Sequence, residues 1–297
     1  MKVLNCGSLN IDRVLHVQNF VRPGETLAAE SMEMLAGGKG LNQSLALARA
    51  GAKVLHYGAV GEDGIFLKEL LCSGGVDVAQ VKVRSNYASG QAMIQVNADG
   101  ENAIVLFAGA NHTLNAEEFA AAVEVMEKGD WLLMQNEVND VADFIRKGHE
   151  HGLKIVFNPA PMSEQVKDYP LELVDILIVN EIEAAELANC RLEEDALPIL
   201  RNKLPRTDLL LTLGSRGALY NGSNGKTVRT AAKNLGKAVD TTAAGDTFIG
   251  YFLAAVIQDK SIEDALKEAS AAAGWCVTRY GAAPSIPKRS DIEDFLK

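Results

Sequence analysis

No apolar run in this 297-residue chain approaches the roughly 20 residues that a membrane-spanning helix needs, so no membrane partner is expected. No lysine and arginine block stands out either. The 29 basic residues are outnumbered by 39 acidic ones, for a formal net charge of −10, which leaves no broad electrostatic footprint for nucleic acid. Cysteine is scarce and scattered: Cys6, Cys72, Cys190 and Cys276 form no C-x-x-C pair and have no histidine at zinc-site spacing. They read as reduced, mostly buried thiols. The first residues, Lys2-Val3-Leu4-Asn5-Cys6, look like a strand and not like a charged stretch leading into an apolar signal core, so a cytoplasmic location is expected. Two nucleotide motifs are also missing. The first strand runs into Gly7-Ser8-Leu9-Asn10 in place of the dinucleotide-binding G-x-G-x-x-G, and no segment matches G-x-x-x-x-G-K-[ST].

What is present is the composition of a globular enzyme, with 47% hydrophobic and 23% charged residues. A chain of this length buries roughly three quarters of its unfolded surface. Short aliphatic runs at 3–7, 54–59, 131–134, 155–158, 176–179 and 209–213 predict strands. Segments 41–50, 65–71, 116–126, 141–150 and 181–188 have apolar residues at helical spacing. Their alternation predicts an α/β fold with a mostly parallel central sheet covered by helices on both sides. Two stretches, 11–36 and 91–107, break the rhythm. In the second, two β-rich runs flank Asn97-Ala98-Asp99-Gly100-Glu101-Asn102, a hairpin pattern that predicts a small β lid inserted in the body. With no repeat or low-complexity linker, residues 1–297 are expected to form one domain.

The sharpest chemical feature is Asp240-Thr241-Thr242-Ala243-Ala244-Gly245-Asp246, followed by an apolar helical run at 249–257. Small residues at 243–245 let the backbone turn tightly, so successive N–H groups at a helix N-terminus can cradle a phosphoryl group. Asp246, on the first turn, can then accept a proton from a hydroxyl held against that phosphate, although helix capping would use the same residue. Gly37-Gly38-Lys39-Gly40-Leu41-Asn42-Gln43 opens a second helix, with Lys39 and Asn42 as donors to hydroxyl oxygens. Asn10 and Asp12, after the first strand, suit vicinal hydroxyls or a turn cap. Asn180 and Glu183 suit water around Mg²⁺ or an ordinary helix start. Leu213-Gly214-Ser215-Arg216-Gly217 offers either exposed backbone to a nucleotide or a simple turn. His149 and His151 do not share a helix face and are expected at the surface.

Taken in order along the chain, these segments resemble the ribokinase family of carbohydrate kinases, also called the PfkB family. The resemblance also draws on Pro23-Gly24-Glu25-Thr26, Ala108-Gly109-Ala110-Asn111, Asn158-Pro159-Ala160-Pro161 and Thr278-Arg279-Tyr280-Gly281-Ala282-Ala283-Pro284-Ser285. It implies a three-layer α/β/α body with a β lid and transfer of the γ-phosphate of ATP to a small sugar. Asp246 would be the catalytic base, with Ala243, Ala244 and Gly245 as the anion hole. Asn10, Asp12, Gly38, Lys39, Asn42 and Glu137 would contact the sugar, with Ala92 of the lid beside it. Asn180, Thr212, Gly214, Ser215, Gly217 and Ser270 would line the nucleotide, Ser270 standing where a bulkier residue is common near adenine. Glu183 would act on Mg²⁺ through water. Asp240 and Thr242, with Val277, Gly281 and Ser285, would hold K⁺. Lid-to-lid pairing would give a homodimer. D-ribose is the favoured substrate, giving ribose 5-phosphate and ADP. Arg13, where a small or imidazole side chain is usual, and the G-G-K-G loop suggest a phosphosugar such as fructose 1-phosphate as the alternative. A nucleoside kinase or a non-catalytic sugar-binding regulator are further alternatives.

Overall fold

Strands buried on both faces send alternate side chains into two separate cores, and this chain does so in the inner strands of its central sheet. The structure, a computed structural model, describes residues 1–191 and 193–296. Its strands are β1 (Lys2–Cys6), β2 (Asn10–His16), β3 (Ser31–Gly37), β4 (Lys53–Gly61), β5 (Val81–Arg84), β6 (Gly90–Val96) and β7 (Asn102–Phe107), then β8 (Trp131–Gln135), β9 (Lys154–Asn158), β10 (Ile176–Asn180), β11 (Asp208–Thr212), β12 (Ala218–Asn221) and β13 (Thr227–Thr230). The helices are α1 (Lys39–Arg49), α2 (Ile65–Ser73), α3 (Ala116–Glu124), α4 (Val141–His151), α5 (Glu181–Ala188), α6 (Glu193–Lys203), α7 (Ala244–Ile257), α8 (Ile262–Cys276) and the short α9 (Arg289–Ile292).

Nine strands form one sheet in the order β13-β12-β11-β10-β9-β8-β1-β4-β5. The pairings from β11 to β5 are parallel, while β12 and β13 add an antiparallel edge. Alternation decides which layer each residue joins. Trp131 and Leu133 of β8 pack with Leu41, Leu45, Phe248 and Leu266 of α1, α7 and α8. Leu132 and Met134 pack with Phe119, Phe144 and Leu200 of α3, α4 and α6. The result is a three-layer α/β/α sandwich.

A second sheet has the order β3-β2-β6-β7. It draws on the two stretches that broke the helical and strand rhythm, and β6 and β7 form the expected hairpin, closed by Asn97 N donating to Glu101 O at 3.0 Å. β2 runs parallel to β6, which places Asp12 between Leu35 and Ala92.

One expectation needs correction. Only Cys6 and Cys276 are buried; Cys190 is partly buried and Cys72 exposed. Cys72 lies away from the Leu67 and Leu71 face by which α2 meets the core. His149 and His151 are both exposed. Among the described residues no helix is long and apolar enough to cross a membrane.

Candidate active site

Parallel strands bring their carboxyl ends to one edge, where loops carry ligand groups. Here Ser8 follows β1, Glu137 follows β8, Asn180 ends β10 and Thr212 ends β11. Helix α1 begins against that edge. Gly38 leads into it at φ 94°, a conformation that L side chains rarely adopt. Gly40 then sits so close to the β1 exit that a Cβ would lie 2.4 Å from Gly7 C and Ser8 N. This contact lets Ser8 act as a clasp: its hydroxyl donates to the Glu137 carboxylate and accepts from Gly40 N at 3.3 Å, while Lys39 N donates to Glu137 Oε2 at 3.1 Å.

The α1 side chains reach across to α7. Asp246 Oδ2 accepts from Asn42 Nδ2 at 3.0 Å, and its Oδ1 accepts from Gln43 Nε2 at 2.9 Å. The carboxylate thus faces the cleft floor, with both oxygens bonded to α1 side chains, and the helix-capping alternative loses its support. Asp12, on β2, is pushed up to about 7 by burial, with Glu137 and Asp246 adding to the rise and Lys39 opposing it. Burial works against the Lys39 ammonium, yet Asp246, Glu137, Glu183 and Asp12 outweigh it and raise its pKa. Lys39 therefore lies in the field of carboxylates drawn from β2, α5, α7 and the β8 exit and offsets part of their mutual repulsion. Asn10 is buried beside them, its Oδ1 accepting from Asn111 Nδ2 at 2.7 Å, and Ala92 is buried on the neighbouring strand β6.

Arg13 departs from what the sequence suggested. It follows Asp12 on β2 and so lies on the opposite face, where its Nε donates to Gln91 Oε1 at 2.9 Å. Its charge is not among those acting on Asp12, Lys39 or Glu183.

At the start of α7, Ala243 takes a left-handed backbone at φ 60°. The Ala244 amide donates to Thr241 O at 3.2 Å, closing a turn. The amides of Ala243, Gly245 and Asp246 have no acceptor among the described residues. Next to this turn lies a cavity of about 770 Å³, lined by Asn180, Thr212, Gly214, Ser215, Gly217 and Ser270 together with Ala244 and Gly245. All the residues expected along the nucleotide are thus in one cavity, contiguous with the loop expected to hold phosphate. Ser270 Oγ is buried without a partner.

Asn180 and Glu183 form a reciprocal capping box at the start of α5. Burial raises the Glu183 pKa, while the Asn180 amide and Lys39 pull the other way. Among the described residues no cluster of His, Cys, Asp and Glu is arranged to hold a metal alone. The residues expected around a monovalent cation are tied together. Asp240 Oδ1 accepts from Thr242 N and Oγ1 at 2.9 and 2.6 Å, and its Oδ2 accepts from Gly281 N at 2.9 Å. Val277 O accepts from Val239 N and Asp240 N. Ser285 Oγ turns toward Ala282 O and Cys276 Sγ. Burial acts to raise the Asp240 pKa, but the three donated hydrogen bonds outweigh it and lower the value. An all-oxygen set anchored by an ionised carboxylate fits a hard cation.

Sequence reasoning missed Ser8 and Asn111 as parts of the site, the link from Gln43 to Asp246, and Lys233, Asn234, Gly236 and Lys237 of the nucleotide-side wall. Ser8, Gln43 and Asn111 lay inside motifs already singled out. The 231–238 segment has no regular secondary structure and no periodicity to mark it.

The chain matches the model for pfkB family carbohydrate kinases over residues 2–289. It is 36% identical over 300 residues to a ribokinase of Haemophilus influenzae, covering 98% of this chain and 97% of that one. Two solved structures are similar. A Cryptococcus neoformans ribokinase in complex with ADP has 36% identity and a TM-score of 0.87, covering 99% of each chain. An Arabidopsis thaliana ribokinase complexed with ribose and ATP has 28% identity and a TM-score of 0.88, covering 100% of this chain and 98% of that one.

Proposed function

The chain belongs to the pfkB family of carbohydrate kinases, and we propose that it transfers the γ-phosphate of ATP to the primary hydroxyl of D-ribose, giving ribose 5-phosphate and ADP. The carrying observation is the Asp246 carboxylate, held by Asn42 and Gln43 beside Lys39 and only one residue from the Gly245 wall of the 770 Å³ cavity. The sugar hydroxyl gives its proton to Asp246 as its oxygen attacks the γ-phosphorus. The bond from that phosphorus to the β–γ bridging oxygen breaks, and its electron pair leaves on ADP. Donors at Ala243 and Gly245, joined by the Asp246 amide, stabilise the phosphoryl charge; Ala244 contributes only when its turn bond to Thr241 opens. Asn10, Asp12, Gly38, Lys39, Asn42 and Glu137 hold the sugar, under Ala92. Asn180, Thr212, Gly214, Ser215, Gly217 and Ser270 hold the nucleotide.

Ribose is favoured because the relatives named above are ribokinases, one of them complexed with ribose and ATP. The Arg13 guanidinium that suggested an anionic sugar is on the other face of β2. ADP release should be compared across free sugars, phosphosugars and nucleosides, with ribose expected to give the highest kcat/KM. A higher value for a phosphosugar or nucleoside would displace ribose. No turnover with any of them would favour a sugar-binding regulator.

Glu183 and Asn180 would orient water around a Mg²⁺ bound with ATP, and its charge would offset that of the phosphates. Asp240 and Thr242, with Val277, Gly281 and Ser285, would hold K⁺ and keep the loop before α7 in shape. The β3-β2-β6-β7 sheet serves as the lid of a single kinase domain spanning 1–297, and lids from two chains pair in a homodimer. A reaction that consumes ATP suits a cytoplasmic location.

A further inference from the structure

Beneath the cleft lies a chain of polar side chains that neither substrate is expected to touch. Asn5, Gln43, Ser44, His56 and Gln135 are fully buried, and Asn158 nearly so. Gln43 Nε2 donates to Asp246 Oδ1 at 2.9 Å and to Asn158 Oδ1 at 3.3 Å, and its Oε1 accepts from Gln135 Nε2 at 2.8 Å. Gln135 Nε2 also donates to Asn5 Oδ1 at 3.0 Å. Asn5 Nδ2 then donates to Ser44 Oγ at 2.7 Å and Gly40 O at 2.8 Å.

Each amide in this chain has only one workable orientation. Gly7 O can only accept, so His56 donates to it from Nε2 at 3.2 Å, and His56 Nδ1 accepts from Ser44 Oγ at 2.8 Å. Burial lowers the His56 pKa to about 4, which keeps the ring neutral and this tautomer in place. At the other end, Asn158 Nδ2 donates to Ile178 O at 3.0 Å, which turns Asn158 Oδ1 toward Gln43. A flipped Gln43 would set oxygen against oxygen at both Asp246 and Asn158. Asn42 also donates to Asp246, but its own Oδ1 takes no part in the chain and is buried without a partner among the described residues.

We infer that Gln43 is a positioning residue for phosphoryl transfer, locked by this buried chain so that its N–H fixes the aim of the Asp246 carboxylate at the sugar hydroxyl. The role holds only if Asp246 is the base, as proposed above. A buried polar chain with each amide held in one orientation is costly to build; Gln135 Oε1 adds to that cost, since it has no partner among the described residues, and the charged end of the chain is Asp246.

The test is Gln43→Glu, which keeps the shape and the acceptor toward Gln135 but replaces the fixed amide donor with a carboxyl that must share a proton with Asp246, together with Gln135→Met, which removes the donor that holds Gln43 Oε1. Steady-state kinetics with ribose and ATP are expected to show kcat reduced about 100-fold in Gln43→Glu and about 10-fold in Gln135→Met, with both KM values within about threefold of the parent. In an Asp246→Asn background, Gln43→Glu should add no further loss. If Asp246→Asn is inactive while Gln43→Glu and Gln135→Met keep the parent kcat, the positioning role is wrong and the base assignment stands. If Asp246→Asn keeps the parent kcat, the base assignment itself has failed. If Gln43→Glu does not fold, Gln135→Met decides: a fall in kcat at constant KM supports the role, and an unchanged kcat overturns it.

Discussion

Asp12 shows what the proposed sugar site costs in stability. Unfolded, its carboxyl ionises near 3.8; in the fold, burial and the neighbouring Glu137 and Asp246 push it up to about 7. Between these values the folded state holds a proton that the unfolded chain has released, so stability falls as pH rises through the window and stays lower above it. Urea unfolding at pH 5 and pH 8 should therefore show Asp12→Asn with a flatter pH dependence than the parent. At pH 8 the variant should be more stable by roughly 2–4 kcal/mol. A parent protein as stable at pH 8 as at pH 5 would remove this account. Lys39 offsets part of the same strain, since its charge faces Asp246, Glu137, Glu183 and Asp12. Lys39→Met leaves those carboxylates repelling one another and should raise the KM for ribose by about 10-fold or more, with a smaller effect on kcat. An unchanged KM would mean that Lys39 does not face the sugar.

At the scale of an element, α1 carries Lys39, Asn42 and Gln43 as a rigid set, and its distance from β1 decides whether they reach Asp246. That distance depends on Gly40, where any side chain would collide with the backbone of Gly7 and Ser8. Backbone cannot yield as a flexible side chain can, so Gly40→Ala should push α1 outward. We expect a loss of roughly 1–3 kcal/mol in denaturant unfolding and at least a 100-fold loss of kcat. A variant with parental stability and turnover would show that α1 is free to shift. This helix was legible in the sequence because its apolar residues repeat at helical spacing, and Asp246 was legible because small residues precede it at a helix start. β12 and β13 escaped because four-residue strands carry too little alternation to stand out. The parallel pairing of β2 with β6 joins residues about 80 positions apart, and nothing local encodes it. Gln43 was visible as a residue, but its role depends on Gln135 and Asn158, which only the fold brings to it.

For the whole molecule, the lid sheet poses a solvation problem that one chain does not solve. Its register places Met34, Arg13, Met93 and Val105 in a row on one face, and Leu35, Asp12, Ala92 and Leu106 on the face of the proposed sugar site. On the edge strand β7, Val105 is 69% and Phe107 57% exposed, and β7 contains no proline, lysine or other charge to discourage pairing. A row that is apolar apart from Arg13, with a free edge, is what a second copy of the same sheet would cover by two-fold symmetry. Bracing the outer row from behind would also hold Asp12 and Ala92 steady over the sugar, because both rows belong to the same strands. Met93→Lys combined with Val105→Lys should thus convert a dimer to a monomer in sedimentation equilibrium. It should also raise the KM for ribose more than the KM for ATP, whose cavity is lined by residues outside the lid. A parent chain that sediments as a monomer at tens of micromolar would discard the paired lids. A monomeric variant with an unchanged ribose KM would instead show that the inner row keeps its place over the sugar without a partner behind it.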